Sequence, residues 1–265
     1  INQGHNEALT NIDSNGKISI LGFLKHGHNR QNTDGAGQLT IKSENGIVVD
    51  ERRGSKGELL ATVDSVGNTT IENGSNSGIT IDGKVLNDGA INVKNNGSEG
   101  VSVNSIIENS NGTLKVDNTQ GNVTISEKGT LQNSNGNIEI KNTGEGKVSI
   151  IGKIKNLLKG DTKIDSQGEQ GIEISGTVTN TDGIVEISNK KAGVTISGLV
   201  ENKKGKTTVK NEGSDGIKVT SAGKIQNNNG QLELENTGKG GMKLEGKVKT
   251  STGDIKLTNK DSDIV

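Results

Sequence analysis

A repeated unit of about 23 residues constrains this chain more than any other feature of its sequence. One copy runs from Gly171 to Asn189 and contains three short runs, each with apolar residues two positions apart. Apolar residues at every second position are typical of β-strands that bury one face. The unit restarts, in steps of 21 to 25 residues, at Gly78, Gly100, Gly121, Gly146, Gly171, Gly193, Gly216 and Gly241.

The inward positions of the repeat agree among these copies. The first run has two apolar residues and the middle run one, and the third run has two except where Thr162 and Thr207 occur. A lone coil buries too few aliphatic side chains to offset the entropy of ordering its backbone. Stacked coils bury a continuous core, with each strand parallel to its copy one coil along.

The pattern therefore predicts an all-β fold, a right-handed parallel β-helix (solenoid) with three short strands per coil of about 23 residues. The right hand follows from the preference of crossovers between parallel strands. With about 4.8 Å between neighbouring strands, about ten coils would form a rod of about 48 Å.

Three regions follow from where the repeat is regular. Residues 1–15 stay unassigned as a partial coil, with a weak strand signal near Ala8 to Ile12. Residues 16–77 predict two longer, irregular coils with loop insertions at 27–36 and 50–57, and residues 78–265 predict eight regular coils. Because the chain begins at Ile1 without methionine, we expect it to be a piece of a longer protein.

Composition excludes several classes of function. The chain has 40 glycines, no cysteine, one phenylalanine and 27% apolar residues, a content that without the repeat would indicate disorder. A formal net charge of −1 disfavours nucleic acid as a partner. No apolar run is long enough to predict a transmembrane segment, and no signal peptide is recognisable.

Asparagine recurs where the middle and third strands end. Such corners tolerate a left-handed backbone, and stacked amides can hydrogen-bond from coil to coil, so we interpret the asparagines as structural. The Gly-Gly-x-Gly-x-Asp pattern of calcium-binding β-rolls is absent, which disfavours a metal role. The positions are Asn87, Asn109, Asn133, Asn156, Asn180, Asn202 and Asn227 in the middle strands, and Asn95, Asn118, Asn142, Asn189, Asn211, Asn236 and Asn259 in the third.

No constellation in the sequence predicts catalysis, a metal site or a cofactor. The histidines are His5, His26 and His28, and the His26-Gly27-His28 pair lacks a cysteine or a set carboxylate to complete a metal site. Sugar-cleaving clefts usually offer aromatic platforms and paired carboxylates, and this chain has a single aromatic residue. We therefore expect no enzymatic activity.

The two insertions are the candidate binding loops, because loops on a rigid scaffold often carry function. Insertions can also be tolerated there without any role. The candidate residues are His26, His28, Asn29 and Arg30 in the first loop, and Glu51, Arg52, Arg53 and Lys56 in the second.

The glycine-led coil resembles the repeat region of large two-partner-secretion exoproteins of Gram-negative bacteria, the filamentous-haemagglutinin-like and high-molecular-weight adhesins. The resemblance covers residues 16 to 265, although autotransporter passengers share the repeat and the secretion domain of the family is not recognisable. It implies export by an outer-membrane partner transporter, and a secreted or cell-surface fibre that binds an unknown receptor on host cells or bacteria.

Two alternatives share the same shaft. The first is the shaft of a secreted toxin of the contact-dependent-inhibition or leukotoxin type, and the less favoured second is a polysaccharide-active β-helix enzyme. Some of the adhesins that the chain resembles are glycosylated at Asn-x-Ser/Thr sequons. Candidate glycosylation sites here are Asn68, Asn73, Asn96, Asn111 and Asn122.

Overall fold

The computed structural model of the protein describes residues 9–27, 37–260 and 263–265. Across these residues the chain is all-β, without a helix, and its parallel strands stack in coils of three. The predicted three-sheet β-solenoid is confirmed. The right hand of the winding stays a prediction from the crossover rule.

The first strands of successive coils form one parallel sheet, called the first sheet. Short runs such as Val101-Ser102-Val103 suit it because both valines point inward and the serine points outward. Numbered in chain order, its ten strands within the described residues are β2 (Ile18–Ile20), β5 (Ile47–Val49), β9 (Gly78–Ile81), β12 (Gly100–Val103), β15 (Asn122–Ile125), β18 (Val148–Ile150), β21 (Ile172–Ile174), β24 (Gly193–Ile196), β27 (Gly216–Val219) and β30 (Met242–Leu244).

The middle strands form the middle sheet, which also carries one short antiparallel strand. That strand, β6 (Arg52–Arg53), pairs with the start of β7. The strands of the middle sheet proper are β3 (Leu24–His26), β7 (Leu59–Val66), β10 (Lys84–Asp88), β13 (Ile106–Asn111), β16 (Thr130–Asn135), β19 (Lys153–Lys159), β22 (Thr177–Asn180), β25 (Leu199–Asn202), β28 (Lys224–Asn229) and β31 (Lys247–Thr252).

The third sheet begins one coil earlier than the other two. Residues left unassigned by the sequence provide its first strand, Leu9–Ser14, which pairs with the third strand of the next coil. Its strands are β1 (Leu9–Ser14), β4 (Gln38–Ser43), β8 (Asn68–Asn73), β11 (Ile91–Asn95), β14 (Leu114–Asn118), β17 (Ile138–Asn142), β20 (Thr162–Ser166), β23 (Val185–Asn189), β26 (Thr207–Asn211), β29 (Leu232–Asn236) and β32 (Ile255–Asn259).

Inward aliphatic side chains form one continuous core along the rod, from Ile18 to Met242. Val85, Ile107 and Leu131 illustrate it: they are partners in three consecutive middle strands, and each is fully buried. Each coil thus covers the apolar surface that its neighbour would otherwise expose to water, which a lone coil could not do.

Asparagine amides form hydrogen-bonded columns inside the corners, as the sequence predicts. In the third sheet, Asn73 Nδ2 donates to Asn95 Oδ1 at 2.8 Å, Asn95 Nδ2 to Asn118 Oδ1 at 2.8 Å, and Asn118 Nδ2 to Asn142 Oδ1 at 2.9 Å. The same amides donate to backbone carbonyls at the corner, as Asn118 does to Gly121 O at 3.1 Å. Burying these polar groups is tolerated because their partners are supplied by the next coil.

Threonine at the start of a third strand can serve these columns. Thr162 is fully buried and donates its hydroxyl to Asn180 Oδ1, in the middle strand of the next coil, at 3.1 Å. Thr69, at the same inward position of an earlier third strand, donates to Asn87 Oδ1 at 2.7 Å. These two threonines satisfy amide oxygens of the next coil, whereas the buried hydroxyl of Thr207 has no hydrogen-bond partner among the described residues.

A column of glycines turns the chain between the middle and third strands. At Gly183, φ is 137°, and a Cβ would collide with the carbonyl oxygen of Gly160 in the preceding coil. The corner needs glycine both for the backbone conformation and for the close approach of neighbouring coils. The column comprises Gly67, Gly89, Gly112, Gly136, Gly160, Gly183, Gly205, Gly230 and Gly253.

Candidate functional site

The second predicted insertion folds into a β-hairpin that interrupts the second coil. Its two short strands place Arg52 opposite Leu60 and Arg53 opposite Leu59. The turn is closed by the Gly54 N–H, which donates to Glu58 O at 2.9 Å. The hairpin therefore brings Glu51, Arg52, Arg53 and Lys56 onto one projecting element, after which β7 continues into the middle sheet.

The charged side chains of the hairpin are paired with one another in solvent. The Arg53 guanidinium donates to both carboxylate oxygens of Glu51 and to Gly57 O, the last at 2.7 Å. This hydrogen bonding lowers the pKa of the Glu51 carboxyl below its ordinary value of 4.5. Glu51, Arg53 and Lys56 are all exposed, so a ligand could reach both signs of charge.

The hairpin also stacks on the chain's one aromatic residue. The Arg52 guanidinium carbon lies 4.9 Å from the centroid of the Phe23 ring, and its Nη1 donates to Ala61 O at 3.1 Å. Phe23 remains 44% exposed. Arginine and aromatic side chains are enriched among the residues that dominate binding energy at interfaces. Phe23, Glu51, Arg52, Arg53 and Lys56 are called the hairpin surface below.

The structure buries His26, which corrects the prediction that His26 is a binding residue. It is 1% exposed and occupies the inward position that asparagine takes in later coils, with Ser65 as its partner in the next strand. Its Nδ1 lies 3.1 Å from the hydroxyl of Thr10, which repeats the threonine-to-next-coil contact of the asparagine column. Burial lowers the pKa of His26 below its ordinary value of 6.5, and a hydrogen bond with the Gly37 backbone partly opposes this. His26 is therefore a core residue that no ligand reaches in the folded rod.

The other candidates of the first insertion, His28, Asn29 and Arg30, lie outside the described residues. Their role as binding residues stays a prediction. Phe23, by contrast, was not among the candidates, because its contact with Arg52 depends on two turns far apart in sequence.

The sequon asparagines differ in accessibility. Asn68, Asn111 and Asn122 are exposed, and Asn96 is half-buried. Asn73 is fully buried, and its amide nitrogen donates to Asn95 and to Asn76 O. Asn73 therefore belongs to the asparagine column and is not accessible for modification in the folded protein, whereas modification of the other four stays a prediction.

The outward face of the third sheet carries charges of alternating sign along the rod. One column reads Asp13, Lys42, Glu72, Lys94, Asp117, Lys141 and Asp165 in consecutive coils. Each charge thus has the opposite sign on the strands next to it, as Lys94 and Glu72 do at 3.5 Å. This face neutralises itself locally, so it offers no extended field to a polyanion or a polycation.

The described part of the chain brings together no group of three or more His, Asp or Glu residues that could hold a metal ion. One open surface depression, of about 790 Å³, is lined by Glu169, Lys190, Lys191, Glu212 and Lys239 among others. Its Lys191 and Glu169 form an ion pair at 3.6 Å. The expectation that the chain is not an enzyme stays a prediction.

Comparison with protein-family models, with curated proteins and with solved structures finds no match to this chain. Among the described residues there is also no helix long and apolar enough to cross a membrane.

Proposed function

We propose that this chain is the shaft of a surface-displayed or secreted bacterial fibrous adhesin, which attaches cells through the hairpin surface. The support is the contrast between a shaft whose corners repeat from coil to coil and the hairpin that interrupts it after Asp50. Shafts of stacked coils hold a projecting element at a fixed position, so a partner would meet it without an ordering cost.

The hairpin surface has the chemistry of a protein-binding or glycan-binding anchor. Phe23 offers an exposed ring, held by Arg52, and the Glu51–Arg53 pair offers a donor and an acceptor at fixed positions. An aromatic anchor rimmed by charges is the usual arrangement at the centre of an interface. A binding role for this surface explains the insertion at this corner better than the alternative that an insertion without any role is merely tolerated there.

The experiment is saturable binding of the chain to host cells and to bacteria, with a variant whose residues 51–61 are replaced by one glycine. This replacement reproduces the turn of the next coil, where Asp82-Gly83 joins the first and middle strands. A milder variant, Phe23→Ser with Arg53→Gln, keeps the hairpin backbone. A control variant, Lys203→Gln, removes an exposed charge from a regular corner.

We expect binding by the chain and by the control, loss in the hairpin replacement, and a reduction of about tenfold or more in the milder variant. Binding that survives hairpin replacement would contradict the proposed site. No binding by any form, with circular dichroism confirming β-structure, would contradict the adhesin proposal for this segment and favour a spacer, as in the shaft of a toxin.

A further inference from the structure

One corner of the regular shaft departs from all the others in the residues that it exposes. From Asn109 onward the corner after the middle strand elsewhere reads asparagine or threonine, two polar residues, and glycine, as in Asn133-Ser134-Asn135-Gly136. Between Asn156 and Gly160 it reads Leu157-Leu158-Lys159, which is one residue longer. The extra residue is a β-bulge, because Asn133 pairs with Asn156 but Asn135 pairs with Lys159.

The bulge turns both leucines into solvent. Leu157 is 39% exposed and Leu158 63% exposed. Among large apolar residues of the described segment 37–254, the exposed ones are these two, Ile151 two residues before the same strand, and Ile184. Ile184 lies at the same corner of the next coil, where its N–H donates to Asp161 Oδ1 at 2.8 Å. In this segment, which stops short of the exposed Ile255 and Leu257 of the last coil, the exposed large apolar side chains are thus confined to two adjacent coils.

The lysines of the same strand are unpaired, unlike Lys94, Lys115 and Lys163 of the third sheet. Lys153, Lys155 and Lys159 make no ion pair with any described residue, and Lys153 and Lys159 are exposed. Their partners on the neighbouring middle strands carry no charge: they are Thr130, Gln132 and Asn135 on one side, and Thr177 and Thr179 on the other. The carboxylates at this corner are Asp161 and Asp182, and Asp182 is paired with Lys204 at 3.1 Å.

We propose that Lys153, Lys155, Leu157, Leu158 and Lys159, called the lysine–leucine bulge, bind an anionic phospholipid surface. The bulge projects from the rod, and a projecting apolar tip needs a matching pocket on a protein partner but only the headgroup boundary on a membrane. The leucines enter that boundary, and the unpaired ammonium groups meet lipid phosphates. The positive charge of the bulge is complementary to the negative charge of an anionic leaflet. This complementarity favours a membrane over a protein as the partner.

The test is co-flotation of the whole chain with vesicles of phosphatidylcholine alone and of phosphatidylcholine mixed with phosphatidylglycerol. Leu157→Ser with Leu158→Ser restores the polarity of a regular corner. Lys153→Gln, Lys155→Gln and Lys159→Gln removes the three charges. Lys42→Gln, Lys141→Gln and Lys218→Gln removes as many lysines from the third and first sheets, away from the middle sheet that carries the bulge, as a matched control.

We expect binding to the mixed vesicles, a loss on the order of 100-fold in the bulge lysine variant, and a loss of about tenfold in the leucine variant. The control should bind within about twofold of the parent chain. Absence of binding to the mixed vesicles would overturn the proposal, as would equal losses in the bulge and control lysine variants. Bulge-dependent self-association in sedimentation, without vesicle binding, would also overturn it in favour of a second copy of the chain.

Discussion

The two coils between residues 16 and 73 and the coils from Gly78 onward follow the same three-strand path but fill their corners differently. In the later coils, asparagine ends almost every middle and third strand, and several of these amides link to the next coil, as Asn87 does to Asn109 and Asn95 to Asn118. In the first two coils the same inward positions hold His26, Ser43 and Ser65, and only the last of the four, Asn73, is an asparagine. An amide can accept from one coil and donate to another, whereas the Ser43 hydroxyl bonds to backbone groups, donating to Gly16 O and accepting from the Asn45 N–H.

The two regions use the same three-strand coil in different ways. The coils from Gly78 onward repeat their corners and give a uniform shaft, whereas the first two coils, in which Asn73 is the one asparagine at these positions, accommodate the hairpin and the longer path between the middle and third strands. Stability in stacked-repeat proteins is a sum of local coil and interface contributions. We therefore expect the first two coils to open more readily than the shaft, and the predictions below test that contrast.

Replacing a stacked corner glycine should have the largest effect. Gly183→Ala places a Cβ against Gly160 O at φ 137°, and we expect a loss of about 3 kcal/mol or more in the free energy of unfolding of the surrounding coils. Gly57→Ala in the hairpin has a positive φ of 79° but open space around the added carbon, so about 1 kcal/mol is expected. Hydrogen exchange of peptides from each region measures both, and equal costs would contradict the close packing of the column.

Breaking an amide column should come next. Asn118→Ala removes a residue that accepts from Asn95 and donates to Asn142, so a cost of about 2 to 3 kcal/mol is expected from the unpaired buried amides. Ser43→Ala, in the same column of the first region, removes a hydroxyl that donates to Gly16 O at 2.6 Å and should cost about 1 kcal/mol. The same exchange measurement compares them, and a Ser43 variant as costly as the Asn118 variant would contradict the proposed difference between the regions.

The sequence was sufficient for the fold because every regular coil carries the same signals at the same positions. Period-two apolar pairs, a glycine at the corner and an asparagine after each strand are all local, and stacking copies them from one coil to the next. The strand Leu9–Ser14 gave only a weak signal, near Ala8 to Ile12, because the residues before Gly16 are too few for a full copy of the repeat to be aligned.

The candidate site was harder to predict because its contacts are particular to one place. His26 looks like a loop residue beside Gly27, yet its inward position in β3 buries it. The Phe23–Arg52 contact and the bulge at Leu157 and Leu158 depend on departures from the repeat. Aligning the chain to the repeat unit does not reveal contacts of this kind. The signals were present as an aromatic residue and a leucine pair at corners that are otherwise polar or glycine-rich.

The threonine contacts should contribute similar free energies of unfolding in both regions. The difference in stability between the regions would then depend on the asparagine amides alone. Thr162→Val leaves Asn180 Oδ1 without its hydroxyl donor, and we expect a cost of about 1 kcal/mol. Thr10→Val removes the corresponding contact with His26 Nδ1 and should cost a similar amount. Exchange rates of peptides spanning β22 and β3 provide the measurement, with Thr162→Ser as the control that keeps the hydroxyl. A Thr10 variant with no effect would show that the contact does not stabilise the first region.

The smallest expected effect is a pH dependence confined to the first two coils. Burial lowers the pKa of His26 in the folded chain below 6.5, so the unfolded chain takes up a proton first as the pH falls. The stability that neutral His26 contributes is therefore fully present above the unfolded pKa and is lost as the pH falls below about 6.5 toward the folded pKa. Thermal unfolding followed by circular dichroism at pH about 7.5 and about 5.5 should show a lower first transition at the acid pH.

His26→Asn supplies the matched variant, because it gives the first coil the residue that later coils carry at this position. The variant should lose the pH dependence of the first transition while leaving the unfolding of the shaft unchanged. If the first transition of the parent chain has the same midpoint at both pH values, the pKa of His26 does not differ between the folded and unfolded chain, which would contradict its lowering by burial.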